Sequence, residues 1–270
     1  VNKFVISPYI ENFSFTEPNY DRMETYYTDD EQSIATLKEK YKIEIVGKAS
    51  NIVHVDPNFK TTASVRLIMR GTGNKVYIGK PIGETSQLHL HAEFHRNNST
   101  LVVSDLHNWP VRLSLISYHD NQTIIWGKGA TTNGTSMTVQ FPESIVAVGD
   151  DCMFATDTWM RNSDMHGLYD LATGKKINNP GNIILQPHVW VGQYAYLLGD
   201  VLVGYGTTIG AQSLVKGILE PCSVYAGSPA KKLRENTTWN REPEAELPQQ
   251  TIDLINECKL KFSYPNKHNF

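Results

Sequence analysis

The chain has 270 residues, 40% of them hydrophobic, enough for one or two domains with a substantial core. Its formal net charge of −3 gives no electrostatic case for a nucleic-acid or anionic-membrane partner, and no apolar run approaches the roughly 18 residues of a membrane span. Three cysteines, Cys152, Cys222 and Cys258, are too few and too scattered for a disulfide framework and fit a reducing compartment.

The opening stretch, VNKFVISPYIENF, lacks the basic start, apolar core and small-residue cleavage site of a signal peptide, so a cytoplasmic location is expected. Residues 1–28 show no period. Asp29 and Asp30 are placed to cap a helix reaching about Ile43, with Ile34, Leu37 and Tyr41 on one stripe. From Ile43 to about Ser144 the chain reads as many short strands broken by Asn, Gly, Ser and Pro. Ile78-Gly79 and Trp126-Gly127 open there like units of a six-residue repeat, 48 positions apart, but the residues between do not keep phase. Irregular coils with insertions are expected here, with a separate β-domain as the rival. In HLHAEFH, His89, His91, Glu93 and His95 alternate, so a strand puts all four on one face. Alternating histidines can ligate zinc. A polar outer strand face is the preferred reading, and no metal is expected.

From Val148 a period of six becomes clean. Val148, Phe154 and Met160 hold its aliphatic position, Cys152 and Thr158 its small one. Phase is then lost, because Met160 and Leu185 lie 25 residues apart. The intervening segment, about 161–182, is polar and rich in turn formers, and it carries one histidine, His166. A loop thrown out of a rigid scaffold is where function is expected.

The period resumes with Leu185, Val191, Leu197, Val203, Ile209 and Val215, six aliphatic residues at one position of the hexad. Val189, Ala195, Val201, Thr207, Ser213 and Leu219 fill the position four further on, and Gly192, Gly204 and Gly210 follow aliphatic residues directly. A helix repeats at 3.6 and a simple strand at 2. A sustained six belongs to a parallel β-helix, in which three hexads make a triangular coil of about 18 residues. The aliphatic residue points inward, and coils stack about 4.8 Å apart. The repeat stops at Pro221 and is followed by YAGSPAKKLRE. Glu242 to Pro248 reads as an acidic linker, and Gln249 to about Phe262 as a helix placed to cover the open end of the solenoid.

The hexads, the looped-out histidine and the closing AGSPAK resemble the left-handed β-helix acetyltransferases. DCMFATDTWMRNSDMHGLYDLATGKKIN followed by HVWVG is most similar to bacterial capsular polysaccharide and polysialic acid O-acetyltransferases. The resemblance covers about Ser144 to Arg241 and implies a mainly β, left-handed parallel β-helix. On this reading residues 1–60 form a partly helical N-terminal segment. Residues 61–235 form the β-helix with the catalytic loop near 161–182, and 236–270 form a linker and a short C-terminal helix.

The implied activity is transfer of an acetyl group from acetyl-CoA to a sugar hydroxyl of a bacterial surface polysaccharide, one that can contain sialic acid. An alcohol needs a base to attack a thioester, and a histidine with a pKa near 6.5 suits that task. The resemblance gives His166 this role and puts Trp190, in HVW, beside the thioester or acceptor. Asp164 and Asp170 are candidates to orient the His166 ring, and His188 is an alternative base. The family's coenzyme A contacts carry over to Gln193, Ala211, Lys216, Gly217, Lys231 and Arg234. Two departures stand out: Ser228-Pro229 replaces an N-P pair, and Lys216-Gly217 replaces the usual Thr-Lys. The resemblance also implies a homotrimer with active sites between subunits. Three other functions remain open: an N-acetyltransferase acting on an amino-sugar, a non-catalytic β-helix scaffold, and a zinc carbonic anhydrase. The last would need three convergent histidines, whereas only His166 and His188 lie in or beside the clean coils.

Overall fold

The computed structural model describes residues 13–262. The opening stretch that bears on signal-peptide layout therefore lies largely outside the described residues. The chain winds as a left-handed parallel β-helix whose strands stack in three walls. The first wall runs from Ile43–Val46 through Val65–Met69, Gln87–Phe94, Pro110–Ser117, Thr131–Val139 and Thr158–Arg161. It ends on the leading halves of Tyr196–Val203 and Leu214–Leu219. The second wall starts at Ile52–Val55 and passes through Lys75–Ile78, Thr100–Val103, Thr123–Trp126, Ile145–Val148 and Ile183–Leu185. The third stacks Thr131, Met153–Phe154, Trp190–Val191, Thr208–Ile209 and Val224–Ala226.

Both inward positions of the clean hexads are buried. Leu185, Val191, Leu197, Val203, Ile209 and Val215 have no solvent exposure, and Val189, Ala195, Val201, Thr207, Ser213 and Leu219 at most 3%. These coils advance by 18 residues as far as Val215, as Leu197 opposite Val215 and Val191 opposite Ile209 show, and by 16 beyond it, where Val203 lies opposite Leu219 and Ile209 opposite Tyr225. Upstream coils are longer. Val65 faces Leu90, Leu90 faces Leu113 and Leu113 faces Thr135, steps of 25, 23 and 22 residues. None is a multiple of six, which is why the period vanishes before Val148. The strands there nevertheless continue the same parallel walls and share the same core. Ile78 and Trp126 lie on one inward column, joined through Val103.

The two ends are closed differently. The first helix, α1 (Glu31–Tyr41), is capped by Asp30, whose carboxylate accepts from the Ser33 amide, and it stops where Lys42 turns left-handed. Its Leu37 and Tyr41 plug the first coil beside Phe59, while Glu24–Tyr27 closes the second wall antiparallel to Ile52–Val55. At the far end Lys231–Arg234 pairs antiparallel with Val224–Ala226 and finishes the third wall. The second helix, α2 (Gln249–Lys261), does not cover that open end. It lies along the edge between the second and third walls, where Leu254, Ile255, Cys258 and the following Phe262 pack on Tyr205 and Cys222. The antiparallel strand has already satisfied the terminal backbone, so the helix buries its apolar stripe on the edge instead.

The His89–Glu93–His95 stripe is the outer strand face expected. Glu93 accepts from His91 (3.0 Å) and lies 3.3 Å from His95 and 3.6 Å from Arg70. Among the described residues no group of three or more His, Cys, Asp or Glu side chains gathers to hold a metal ion. No described helix is long and apolar enough to cross a membrane.

Candidate active site

The expected loop leaves the solenoid at the edge between the first and second walls. Met160 faces Leu197 and Val148 faces Leu185, both steps of 37 residues, so the insertion adds 19 to an 18-residue coil without disturbing either wall. Two asparagines close the ladder beneath it. Buried Asn162 accepts from the Gln140 amide (2.8 Å) and donates to the Gly181 carbonyl (3.1 Å). Asn182 accepts from the Ile145 amide (2.8 Å) and donates its own amide to Asp200 (3.0 Å).

Above these feet the loop is braced from within. Asn178 accepts from the Leu168 amide (2.7 Å) and donates to the His166 carbonyl (2.8 Å) and the Asp164 carboxylate (3.0 Å). Asp170 is taken by the backbone and hydroxyl of Thr173. Both acidic candidates for orienting His166 thus have other hydrogen-bond partners, and it is Asn178 that fixes the backbone around the histidine. An asparagine inside a turn-rich segment gives no sequence signal of such a role. The His166 side chain is exposed, and so are Met165, Leu168, Tyr169, Leu171 and Ile177 around it. Five large apolar side chains facing solvent on one loop are what a surface covered by another molecule presents.

Trp190 lies on the third wall, between Met153 and Thr208 in register. Thr208 leads on to Val224, and Val224 to Arg234, so Trp190 and Arg234 share one row and one pocket of about 740 Å³. The Trp190 ring is 38% exposed and leans on Trp239, centroids 6.2 Å apart. Trp239 is held in turn. It stacks flat on His188 at 4.3 Å, and its indole N–H donates to the His188 carbonyl (2.8 Å).

His188 is buried in this clasp, which rules against it as a free base. Its Nδ1 lies 2.7 Å from Asp151 and its Nε2 2.9 Å from the Trp239 carbonyl. Both ring nitrogens are taken by these partners, so neither is open to a substrate. Arg241 completes the arrangement with Nε and Nη2 at 3.0 and 2.9 Å from the same Asp151 oxygen, and with Nη1 donating to the Thr131 hydroxyl. Burial pushes the Asp151 carboxyl up, but the His188 hydrogen bond and the Arg241 charge outweigh it and hold the group below its usual range.

The remaining candidates sit on the prism's edges. Gln193 and Ala211 occupy successive coils at the corner between third and first walls, where Gln212 donates its amide to the Gln193 carbonyl (2.8 Å). The coils meet so closely there that a Cβ on Gly192 would stand 2.6 Å from the Ala211 amide nitrogen. Lys216 and Gly217 turn the corner between first and second walls, Gly217 with a φ of 70° and open space around it. Lys216, Lys231 and Arg234 are exposed and form no ion pair among the described residues, whereas Lys232 is tied to Glu220 and Glu235. Small corner residues with exposed backbone and three unpaired cations suit the thin arm and the phosphates of coenzyme A. One chain does not gather all eight residues. Trp190 and Arg234 share a wall, while His166 rises from a different edge and does not line their pocket.

No family model matches the chain. It is 33% identical over 195 residues to the polysialic acid O-acetyltransferase of Neisseria meningitidis, a match covering 72% of this chain and 87% of that protein. The chain belongs to the polysialic acid O-acetyltransferase family. As a member it is an acetyl-CoA-dependent O-acetyltransferase of the hexapeptide-repeat class. The Escherichia coli O1:K1 polysialic acid O-acetyltransferase is also 33% identical, over 118 residues, covering 43% of this chain and 38% of that one. The crystal structure of the polysialic acid O-acetyltransferase OatWY superposes with a TM-score of 0.56 at 25% identity over 80% of this chain and 95% of its own. That of the polysialic acid-specific acetyltransferase NeuO has the same fold, with a TM-score of 0.58 at 24% identity over 80% and 98%. Within this family the exposed histidine on the insertion and the row ending in Arg234 are the features that need a chemical account.

Proposed function

We propose that this O-acetyltransferase acetylates a hydroxyl of a bacterial surface polysaccharide, one bearing sialic acid or a similar acidic sugar, in the cytoplasm. His166 is the general base. It takes the proton of the acceptor hydroxyl as that oxygen attacks the thioester carbon of acetyl-CoA. A tetrahedral intermediate forms, and a backbone N–H at a coil corner stabilises its oxyanion. When the intermediate collapses, the C–S bond breaks and the imidazolium returns the proton to the leaving thiolate. Trp190 offers a flat, half-exposed face beside the reacting groups. Gln193, Ala211 and Gly217 line the pantetheine arm, and Lys216, Lys231 and Arg234 meet the phosphates.

The observation that carries this reading is the braced, exposed His166 on an insertion whose apolar neighbours are left uncovered. It also supports a homotrimer, in which the loop of one subunit meets the third wall of the next and brings His166 to Trp190. Incubation with labelled acetyl-CoA and a panel of acidic and neutral polysaccharides tests the activity. Label should appear on an acidic polymer and be lost on mild alkaline treatment, which cleaves an ester and spares an amide. Alkali-stable label would move the reading to N-acetylation, and no transfer to any saccharide would end it.

A further inference from the structure

The outward side of the first wall carries a feature that the acetyl-transfer chemistry does not use. One residue per coil stacks in register along it: Arg66, His91, Ser114, Ser136, Trp159 and Tyr196. Five steps of about 4.8 Å make this column roughly 24 Å long. The two serines in the middle are the smallest members and are flanked by large side chains, so the column is hollow at its centre. The hollow is a trough of about 420 Å³.

Its two ends differ in chemistry. At one end Trp159 and Tyr196 stack flat, centroids 5.8 Å apart and planes 2° apart, with Tyr196 40% exposed. At the other stands Arg66, in register beside His91, and Arg112 flanks the hollow from the coil of Ser114, in register beside His89. Arg112 forms no ion pair among the described residues. Arg66 lies 3.6 Å from Glu44, with both side chains about half exposed, a weak attachment that a ligand carboxylate can displace. Asp157 adds one negative charge to a lining that holds two arginines. The strand bearing Trp159 ends at Arg161, where the His166 loop begins, so the aromatic end of the trough adjoins the foot of that loop.

We propose that this trough is an extended subsite for an acidic saccharide chain, holding units of the acceptor remote from the one being acetylated; it rests on the function proposed above. The forked donors of Arg66 and Arg112 match sugar carboxylates. The serine hydroxyls give the floor polar partners without filling it, and the aromatic pair offers flat surface to the apolar face of a pyranose ring. The position gives a role to arginines and small residues that share one face on coils upstream of those assigned to coenzyme A.

The test uses the full chain with polysialic acid of graded length and dextran as the neutral control. Binding is measured without acetyl donor by affinity electrophoresis, and turnover with it. The Arg66→Gln/Arg112→Gln double variant should bind long acidic chains roughly tenfold more weakly. It should raise KM for long acceptors far more than for short ones, with KM for acetyl-CoA as the internal reference. Ser136→Trp fills the hollow without changing charge and should weaken long chains likewise, its fold being checked by circular dichroism. The trough assignment is overturned if the unaltered protein fails to bind the acidic polymer. It is equally overturned if both variants keep the affinity and length preference of the unaltered protein, or if dextran is affected as strongly. Binding to the trough with no acetyl transfer would remove the proposed function and leave the trough standing. Transfer that both variants leave length-dependent would remove the trough alone.

Discussion

Replacing Asp151 by alanine tests the clasp behind Trp190. The carboxylate is shared between His188 and the Arg241 cation, at 2.7 Å from the His188 Nδ1 and at 3.0 and 2.9 Å from Arg241. Removing one partner of a buried charge pair costs about 3–5 kcal/mol, because the remaining charge is left uncompensated. Two features lower that figure. The Asp151 side chain is 37% exposed, so water enters in its place. Arg241 also keeps the Thr131 hydroxyl at 2.8 Å and the carbonyls of Gly129 and Cys152. His188 is the group with little recourse, since its side chain is 3% exposed and retains only the Trp239 carbonyl. We therefore expect a loss of about 3 kcal/mol, near the lower end of the range. With a urea slope of about 3 kcal/mol/M for a chain of this size, the unfolding midpoint at pH 7 should fall by about 1 M.

The pH dependence follows from the same geometry. The Asp151 carboxyl titrates below its unfolded value of about 3.9, so its contribution is fully present above that pH and is lost as pH falls through the lower folded value. The unaltered protein should lose stability more steeply than Asp151→Ala on going below pH 4. Tryptophan fluorescence of the variant should report a loosened Trp239 and Trp190. A midpoint within about 0.2 M of the unaltered protein, with the same acid profile, would refute the clasp as a stabilising element.

Four further outcomes are expected. His166→Ala should lower kcat by about 10² to 10⁴ while calorimetric binding of acetyl-CoA is retained; more than about a tenth of the activity left would exclude general-base catalysis by this residue. Lys231→Gln/Arg234→Gln should raise KM for acetyl-CoA more than for the acceptor, and equal effects on both would count against phosphate contacts. Leu197→Ala, at a fully buried point of the inward column, should cost about 2–5 kcal/mol in urea unfolding. Light scattering at micromolar concentration should give three times the chain mass, and a stable monomer would leave His166 and Trp190 on separate surfaces.

The hexad columns were legible because one geometric fact repeats. In an 18-residue coil every sixth side chain must enter the prism, and Leu185 to Val215 carry that requirement openly. Upstream the same requirement holds, but extra residues at the corners change the step to 22, 23 or 25, so Ile78 and Trp126 align in space while the sequence between them hides it. The insertion that carries His166 was visible through the phase break that expels it. Asn178 was not, because its contacts span the loop and depend on how it closes. His188 keeps the hexad phase and reads as wall; what no periodicity conveys is that Trp239 and Arg241, some 50 residues later, return to enclose it. The trough on the first wall was equally hidden, since its members are drawn from six coils of unequal length.

The asparagine feet of the His166 loop have a consequence for how such a chain can change. Asn162 and Asn182 complete the hydrogen bonding of the coil beneath the insertion, and the strands on either side stay in step as though nothing had been inserted. The segment between them is in effect a socketed attachment. Around His166 and its brace Asn178, its length and composition can be rewritten without rephasing any strand, so the insertion can change in evolution, or be exchanged in the laboratory, while the stacked frame is left untouched.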